Sequence, residues 1–260
     1  ISLLEEKGYA YRISDGVYFD TSKMKEYGKL GGLVLDEENE SRIAANTEKR
    51  QQADFALWKF DTERGWESPW GQGFPGWHIE CSTMSRAFLG DHFDIHTGGL
   101  DNAPIHHNNE IAQSTCATGK DFVNYWVHGA MLNFGGAKLS KSTGGNITLK
   151  SLADANFSPL SYRYLTLQTH YHSPMNFTWE ILKSSQKGLD KIYREIISLR
   201  KESGKVIGNI DVEFKKEFTE KIEDDINLPQ ALAVFHMMMK SSLSVADKLA
   251  TAYDFDTVLG

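Results

Sequence analysis

Hydrophobic spacing changes character near Lys150, so the chain has to combine two kinds of structure. Between Pro69 and Leu149, glycine-rich turns separate short apolar runs such as Phe93-Asp94-Ile95 from segments with helical spacing, the alternation expected of α/β packing. Beyond Lys150, Leu182, Leu189, Ile192, Tyr193, Ile196 and Leu199 recur every three or four residues, a stripe that predicts one face of a long helix turned to a helical core. Glu202-Ser203-Gly204-Lys205 reads as a connection. Phe214, Phe218 and Ile222 begin another amphipathic helix, and Asn227-Leu228-Pro229 can open the next. Residues 1–66 mix a short helix with strand-like pieces such as Gly16-Val17-Tyr18-Phe19, and a charged stretch through Arg42, Lys49 and Arg50 reads as solvated. The expected organisation is a small α+β module (1–66), an α/β segment (67–150) and a helical region (151–260), without internal repeats.

Composition narrows the functional classes. The 260 residues are 40% apolar and 24% charged, the balance of a globular protein. Two cysteines, Cys81 and Cys116, give no disulfide framework and point to a reducing compartment, best matched by the cytoplasm. No apolar run approaches the ~18 residues of a membrane span, and the start lacks the pattern of a signal peptide. It also lacks an initiating Met and begins with helical character, as if cut from something longer. A net charge of -7 offers nucleic acid no global attraction, so any RNA contact has to be local.

Two groups of residues carry chemistry. His106 and Glu110 stand four apart in His106-His107-Asn108-Asn109-Glu110, so on a helix both project from one face and can chelate an ion. Zinc accepts thiolate, imidazole and carboxylate at ~2.0 to 2.3 Å, and Cys81 can supply the sulfur. His107, three residues from Glu110, is a competing ligand that spacing does not exclude; a polar helical turn and a buried structural thiol are the alternative reading. In the second group, Lys138-Leu139-Ser140-Lys141-Ser142 lies between Gly135-Gly136 and Gly144-Gly145. Glycine hinges around two ammonium groups suit a loop that closes over phosphate, although the same composition fits an exposed turn.

The stretch Ser68-Pro69-Trp70-Gly71-Gln72-Gly73-Phe74-Pro75-Gly76-Trp77-His78-Ile79-Glu80-Cys81-Ser82 closely resembles the zinc-cysteine segment of cysteinyl-tRNA synthetases. In order there follow Phe93-Asp94-Ile95-His96-Thr97-Gly98-Gly99-Leu100-Asp101, the His106–Gln113 block, Tyr125-Trp126-Val127-His128-Gly129 and Lys138–Ser142. Weaker resemblance extends upstream through Tyr27–Leu30 and Asp54–Lys59, and downstream through His170–Pro174 and Asp224–Asn227. The resemblance implies the second half of a Rossmann-like class I synthetase catalytic domain, with an acceptor-end insertion module before it and a stem-contact helical bundle after it. It implies one Zn2+ per chain on Cys81, His106 and Glu110, and places Trp77 at the border of the cysteine pocket. Gly99, Asp101, His128 and Leu132 are implied to surround the adenosine, and Lys138 and Lys141 to be catalytic on the ATP phosphates, with Mg2+.

The activity implied is ATP-dependent activation of L-cysteine and its transfer to tRNA(Cys) by a cytoplasmic monomer. Related alternatives are a ligase joining cysteine to an amino sugar, as in the mycothiol pathway, and a non-catalytic zinc- and RNA-binding relative; intact Lys138 and Lys141 speak against the latter. Three positions depart from the family pattern: Phe74 stands for an arginine, Thr97 interrupts a glycine run and Leu139 replaces a methionine. The family's fourth zinc ligand, a cysteine, its His-Ile-Gly-His-type signature and its anticodon-reading domain have no counterpart in these residues, so a fragment is expected.

Overall fold

Strand β2 (Gly16–Phe19) is buried along its whole length, which only a central strand covered on both faces can be. It lies in an antiparallel sheet of order β1-β2-β3-β4 with β1 (Ala10–Ile13), β3 (Phe55–Phe60) and β4 (Gly73–Pro75). Gly16 is required here, because a Cβ would stand 2.3 Å from the Trp58 carbonyl oxygen. The computed structural model describes residues 1–31, 46–135, 147–206 and 208–260, and 137–138 as backbone. Arg42, Leu139 and Lys141 therefore lie outside the described residues, as does the side chain of Lys138. The described chain forms two compact units, Ile1–Gly129 and Ala130–Gly260.

In the first unit, helix α1 (Ser2–Glu6) contributes Leu4 to a core with Val17, Phe19, Phe55, Leu57, Trp58, Ile79, Ala112 and Cys116. Ile79 comes from α2 (Trp77–Leu89), and Ala112 and Cys116 from α3 (Asn108–Thr118), so the sheet's apolar face fixes both helices that carry the predicted metal ligands. Side chains of Ser82 and Gln113 meet at 2.5 Å and join α2 to α3. Asp54 is buried but well supplied: the Tyr11 hydroxyl and Gln51 N–H donate to Oδ2, and the Thr21 N–H and hydroxyl donate to Oδ1. Arg50 is exposed as expected of a solvated stretch, while its Nη1 reaches the buried Asp20 at 2.9 Å. The α/β part is the parallel pair β5 (Phe93–Gly99) and β6 (Val123–Gly129), joined by α3.

The second unit begins with β7 (Leu132–Phe134), flanked by antiparallel β8 (Ala137–Lys138) and parallel β9 (Met175–Phe177). Helices α4 (Leu149–Asp154) and α5 (Pro159–Leu167) pack Leu152 and Leu165 against Phe177. Helix α6 (Trp179–Ser203) is the predicted amphipathic helix: Leu182 and Leu189 are buried and Ile192 and Ile196 half-buried. Tyr193 falls off the stripe and is exposed, because its position turns it to the edge of the packed face. Helices α7 (Val212–Glu223), α8 (Leu228–Lys240) and α9 (Val245–Leu259) close a core of Phe218, Ala231, Val234, Phe235, Met238, Ala252 and Phe255. The α/β fold class with a helical C-terminal region is thus what the chain adopts. Among the described residues no helix is long and apolar enough to cross a membrane.

Candidate metal and nucleotide site

The polar run Ala103–Glu110 enters the core as a π-helical turn, Ala103–His107, that continues directly into α3. Such turns concentrate at functional sites, because the widened turn redirects side chains. Its surroundings pin it. Asn108 accepts from the Leu30 N–H at 3.1 Å and donates to the carbonyls of Leu30, Ala103 and Pro104, while the Tyr27 hydroxyl donates to Asn109 at 2.5 Å. His106, His107 and Glu110 are consequently buried on one side of α3.

Donor atoms of Cys81, His106 and Glu110 lie within 4.8 Å of one another, so the three residues singled out by spacing converge. His106 Nε2 stands 3.3 Å from Glu110 Oε1, close to the ~3.3 Å edge of a tetrahedron whose ligands lie ~2.0 Å from zinc. The competing ligand His107 belongs to a neighbouring triple with His96 and the same Glu110. His96 Nε2 faces Oε2 at 3.3 Å and His107 Nε2 faces Oε1 at 4.0 Å.

Glu110 supplies the test of whether these residues suit a metal. Its side chain is 1% exposed, and neither carboxylate oxygen accepts a well-formed hydrogen bond. A buried carboxylate without donors is costly, and imidazole nitrogens at 3.3 Å offset that only in part. A cation between carboxylate, imidazole and thiol would satisfy the orphaned oxygens, and the soft and borderline donors match zinc. Burial tends to raise the Glu110 carboxyl, but the facing His106 and His96 hold it below the usual range. Burial, reinforced by Glu110 and Glu80, pushes the Cys81 thiol up, so without a cation it is protonated at neutral pH.

His78 and His96, which sequence reasoning did not assign, complete the surroundings together with His107 and His128. His78 Nδ1 is 3.0 Å from His106 Nδ1, and His107 Nδ1 is 2.7 Å from His128 Nε2. His106 Nε2 faces Glu110 as a donor here, and a proton moved to its Nδ1, toward His78, would free Nε2 for a cation. Burial, with neighbouring imidazoles, lowers His78 and His107 to about 4, so both rings are neutral at pH 7. His78 was legible as lying three residues from Cys81 on one helix. His96 was not, because its place depends on pairing: the β5–β6 register sets His96 opposite Trp126 and Gly98 opposite His128.

Trp77, 69% exposed at the first position of α2, meets His106 edge-on with ring centroids 4.8 Å apart. Gly99 pairs with Gly129 at the carboxyl ends of the two parallel strands, where α/β sheets bind ligands, and Asp101 follows in the next turn. A Cβ on Gly99 would sit 2.6 Å from Asp101 Oδ1. His128 is on β6 and turns to His107. In the second unit, Leu132 packs against the Leu152, Leu165 and Phe177 cluster, and the Lys138 backbone pairs with Asn133. Phe74 sits on the edge strand β4 opposite Lys59, and Thr97 is exposed on β5.

Comparison with known proteins adds to this geometry. A family model described as the tRNA synthetases class I (C) catalytic domain matches residues 1–187. The Cysteine--tRNA ligase 1 of Burkholderia lata is 44% identical, with 100% of this chain aligned to 56% of that protein. The Cysteine--tRNA ligase of Methanococcus aeolicus is 44% identical, with 100% of this chain aligned to 53%. The chain therefore spans about half the length of the curated relatives it matches. A LeuRS-tRNA-LeuAMS ternary complex from Agrobacterium radiobacter matches with a TM-score of 0.52 at 18% identity, over 64% of this chain and 25% of that one, a likeness of fold.

Proposed function

Because the chain belongs to the class I (C) tRNA synthetase catalytic-domain family, we propose that it is the central portion of a cysteine--tRNA ligase, which activates L-cysteine with ATP and passes it to tRNA(Cys). The observation that carries this reading is the convergence of Cys81, His106 and the donorless buried carboxylate of Glu110. These residues would hold one zinc ion. When bound, zinc supplies a contact that a substrate thiolate makes well and a serine hydroxyl makes poorly, selectivity that an apolar pocket cannot give for a one-atom difference.

The chain's own residues position the rest. Trp77, edge-on to the His106 ring, borders the substrate cysteine. His78 holds the His106 ring in register through the Nδ1 contact, and His128 does the same for His107. Gly99 and Asp101, at the carboxyl end of β5, accommodate the adenosine with His128 on the paired strand β6. In the proposed reaction the cysteine carboxylate attacks the ATP α-phosphate to give cysteinyl-adenylate and pyrophosphate, which leaves with Mg2+, and a hydroxyl of the tRNA terminal ribose then takes the cysteinyl group and releases AMP. Lys138 and Lys141 would neutralise charge developing on the departing pyrophosphate. Residues 1–66 act as an acceptor-end module, 67–150 as the catalytic segment and 151–260 as the stem-contact region, in a cytoplasmic monomer.

Cysteine-dependent exchange between ATP and pyrophosphate tests the reading, on the full-length protein loaded with zinc. Exchange with cysteine and little with serine is expected. Glu110→Gln should lower zinc content by about one equivalent per chain and abolish exchange. Full zinc retention in that variant, measured by elemental analysis, removes Glu110 from the ligand set.

A further inference from the structure

In the second unit, two imidazoles and a carboxylate come together from separate loops. His170 and His172 flank Tyr171 in a turn closed by the Ser173 N–H donating to the His170 carbonyl at 2.8 Å. Asp225 lies between α7 and α8, and its donor atom and those of the two histidines fall within 4.8 Å of one another. His172 Nδ1 is 3.5 Å and His170 Nε2 is 3.9 Å from Asp225 Oδ2. Ligands on a tetrahedral zinc at ~2.0 Å stand ~3.3 Å apart, so the imidazoles have to approach Oδ2 by ~0.2 and ~0.6 Å, and each other from within 4.8 Å, to share one ion.

We propose that His170, His172 and Asp225 form a binding site for a borderline divalent transition cation, Zn2+ or Co2+ in its simplest test. Two imidazoles with one carboxylate are a donor set that such ions take, whereas Mg2+ and Ca2+ prefer oxygen alone. The carboxylate is already oriented: the Tyr171 hydroxyl donates to Asp225 Oδ1 at 2.5 Å, leaving Oδ2 toward the rings, as carboxylates beside metals are commonly held. Asp225 and Ile226 both adopt left-handed backbone, φ 53° and 55°. For a β-branched residue this is an outlier of the kind that persists where surrounding structure enforces it.

His172 and Asp225 are more than half exposed as side chains, so solvent can complete the coordination and the site exchanges ions freely. Loading Nε2 of His170 places its proton on Nδ1, which gives up a long 3.3 Å bond from the His172 N–H. That exchange keeps the affinity modest. An ion here would clamp the 170–173 turn to the α7–α8 junction.

Optical titration of the metal-stripped full chain with Co2+ tests the proposal. The expected result is about one equivalent of Co2+ per chain that shows d–d bands without thiolate charge transfer, persists in Cys81→Ser, and is lost in both His172→Ala and Asp225→Asn. The latter keeps the side-chain shape, and circular dichroism of each variant establishes that it is folded. Co2+ uptake and spectra in both variants equal to those of the parent chain would overturn the site, as would complete loss of Co2+ binding in Cys81→Ser. A parent spectrum with the d–d component but no thiolate band supports this site while counting against Cys81 as a ligand.

Discussion

Gly98 has to be glycine because of a ring, not a turn. A Cβ there would lie 2.5 Å from His107 Cε1 and 2.7 Å from Nε2, and the ring is buried among His96, His128 and Trp126 with little room to give. Gly98→Ala is expected to displace His107, break its 2.7 Å contact with His128 and destabilise the chain by about 1–3 kcal/mol. Chemical denaturation measures the loss, and histidine NMR signals report the lost contact; an unchanged His107 resonance would show that the ring did not move. Asp20 gives the residue-scale pH dependence. Burial would raise its carboxyl, but hydrogen bonds from Ser22 and the Arg50 guanidinium outweigh that, and its pKa is lowered. A depressed folded-state value means that the contribution is present above the unfolded pKa of ~3.9 and disappears as pH falls through the folded one. Stability should therefore decline in that acid window, and Asp20→Asn should flatten the decline in denaturation midpoints recorded across it.

At the scale of elements, one helix start was legible, Asn227-Leu228-Pro229 opening α8, and the structure adds three caps that the sequence reading did not single out. Thr178, Asp211, Asn227 and Ser244 each accept a hydrogen bond from a backbone N–H of the helix they open. Asp211→Ala should lower the denaturation midpoint by about 1 kcal/mol worth of stability through loss of its 2.9 Å bond from the Phe214 N–H, and Asp211→Ser should restore most of it. His106 and Glu110 were legible for the same reason, since i,i+4 spacing needs only local helix. What spacing could not give was the π-helical turn before α3, or the choice between His106 and His107, because both imidazoles reach the same carboxylate from consecutive positions. His96 was brought in by strand register, a long-range property, whereas family resemblance names His128; Arg50 is exposed as expected, but nothing local shows that the Asp20 it pairs with is buried. Family resemblance, rather than periodicity, chose among the metal ligands.

At the scale of the whole molecule, each unit closes a core of its own, and the predicted zinc residues all fall within Ile1–Gly129. With a net charge of -7, the tRNA contact that the proposed function requires would have to be made by local surfaces. Stability of the helical unit should therefore be separable from metal binding in the first. Phe255 is fully buried and stacks on Phe218 with ring centroids 4.0 Å apart, in the middle of the α7–α9 core. Truncating it removes the stacked pair and leaves a cavity, a loss of about 3–5 kcal/mol in well-packed cores. Phe255→Ala is thus expected to lower the thermal transition of residues 130–260, followed by hydrogen exchange of the α7–α9 amides. Zinc held through Cys81, His106 and Glu110, counted by elemental analysis below that transition, should be unchanged. If zinc content fell in parallel with the amide protection of α7–α9, the two units would be energetically one, and the metal residues would depend on a core to which they contribute no side chain.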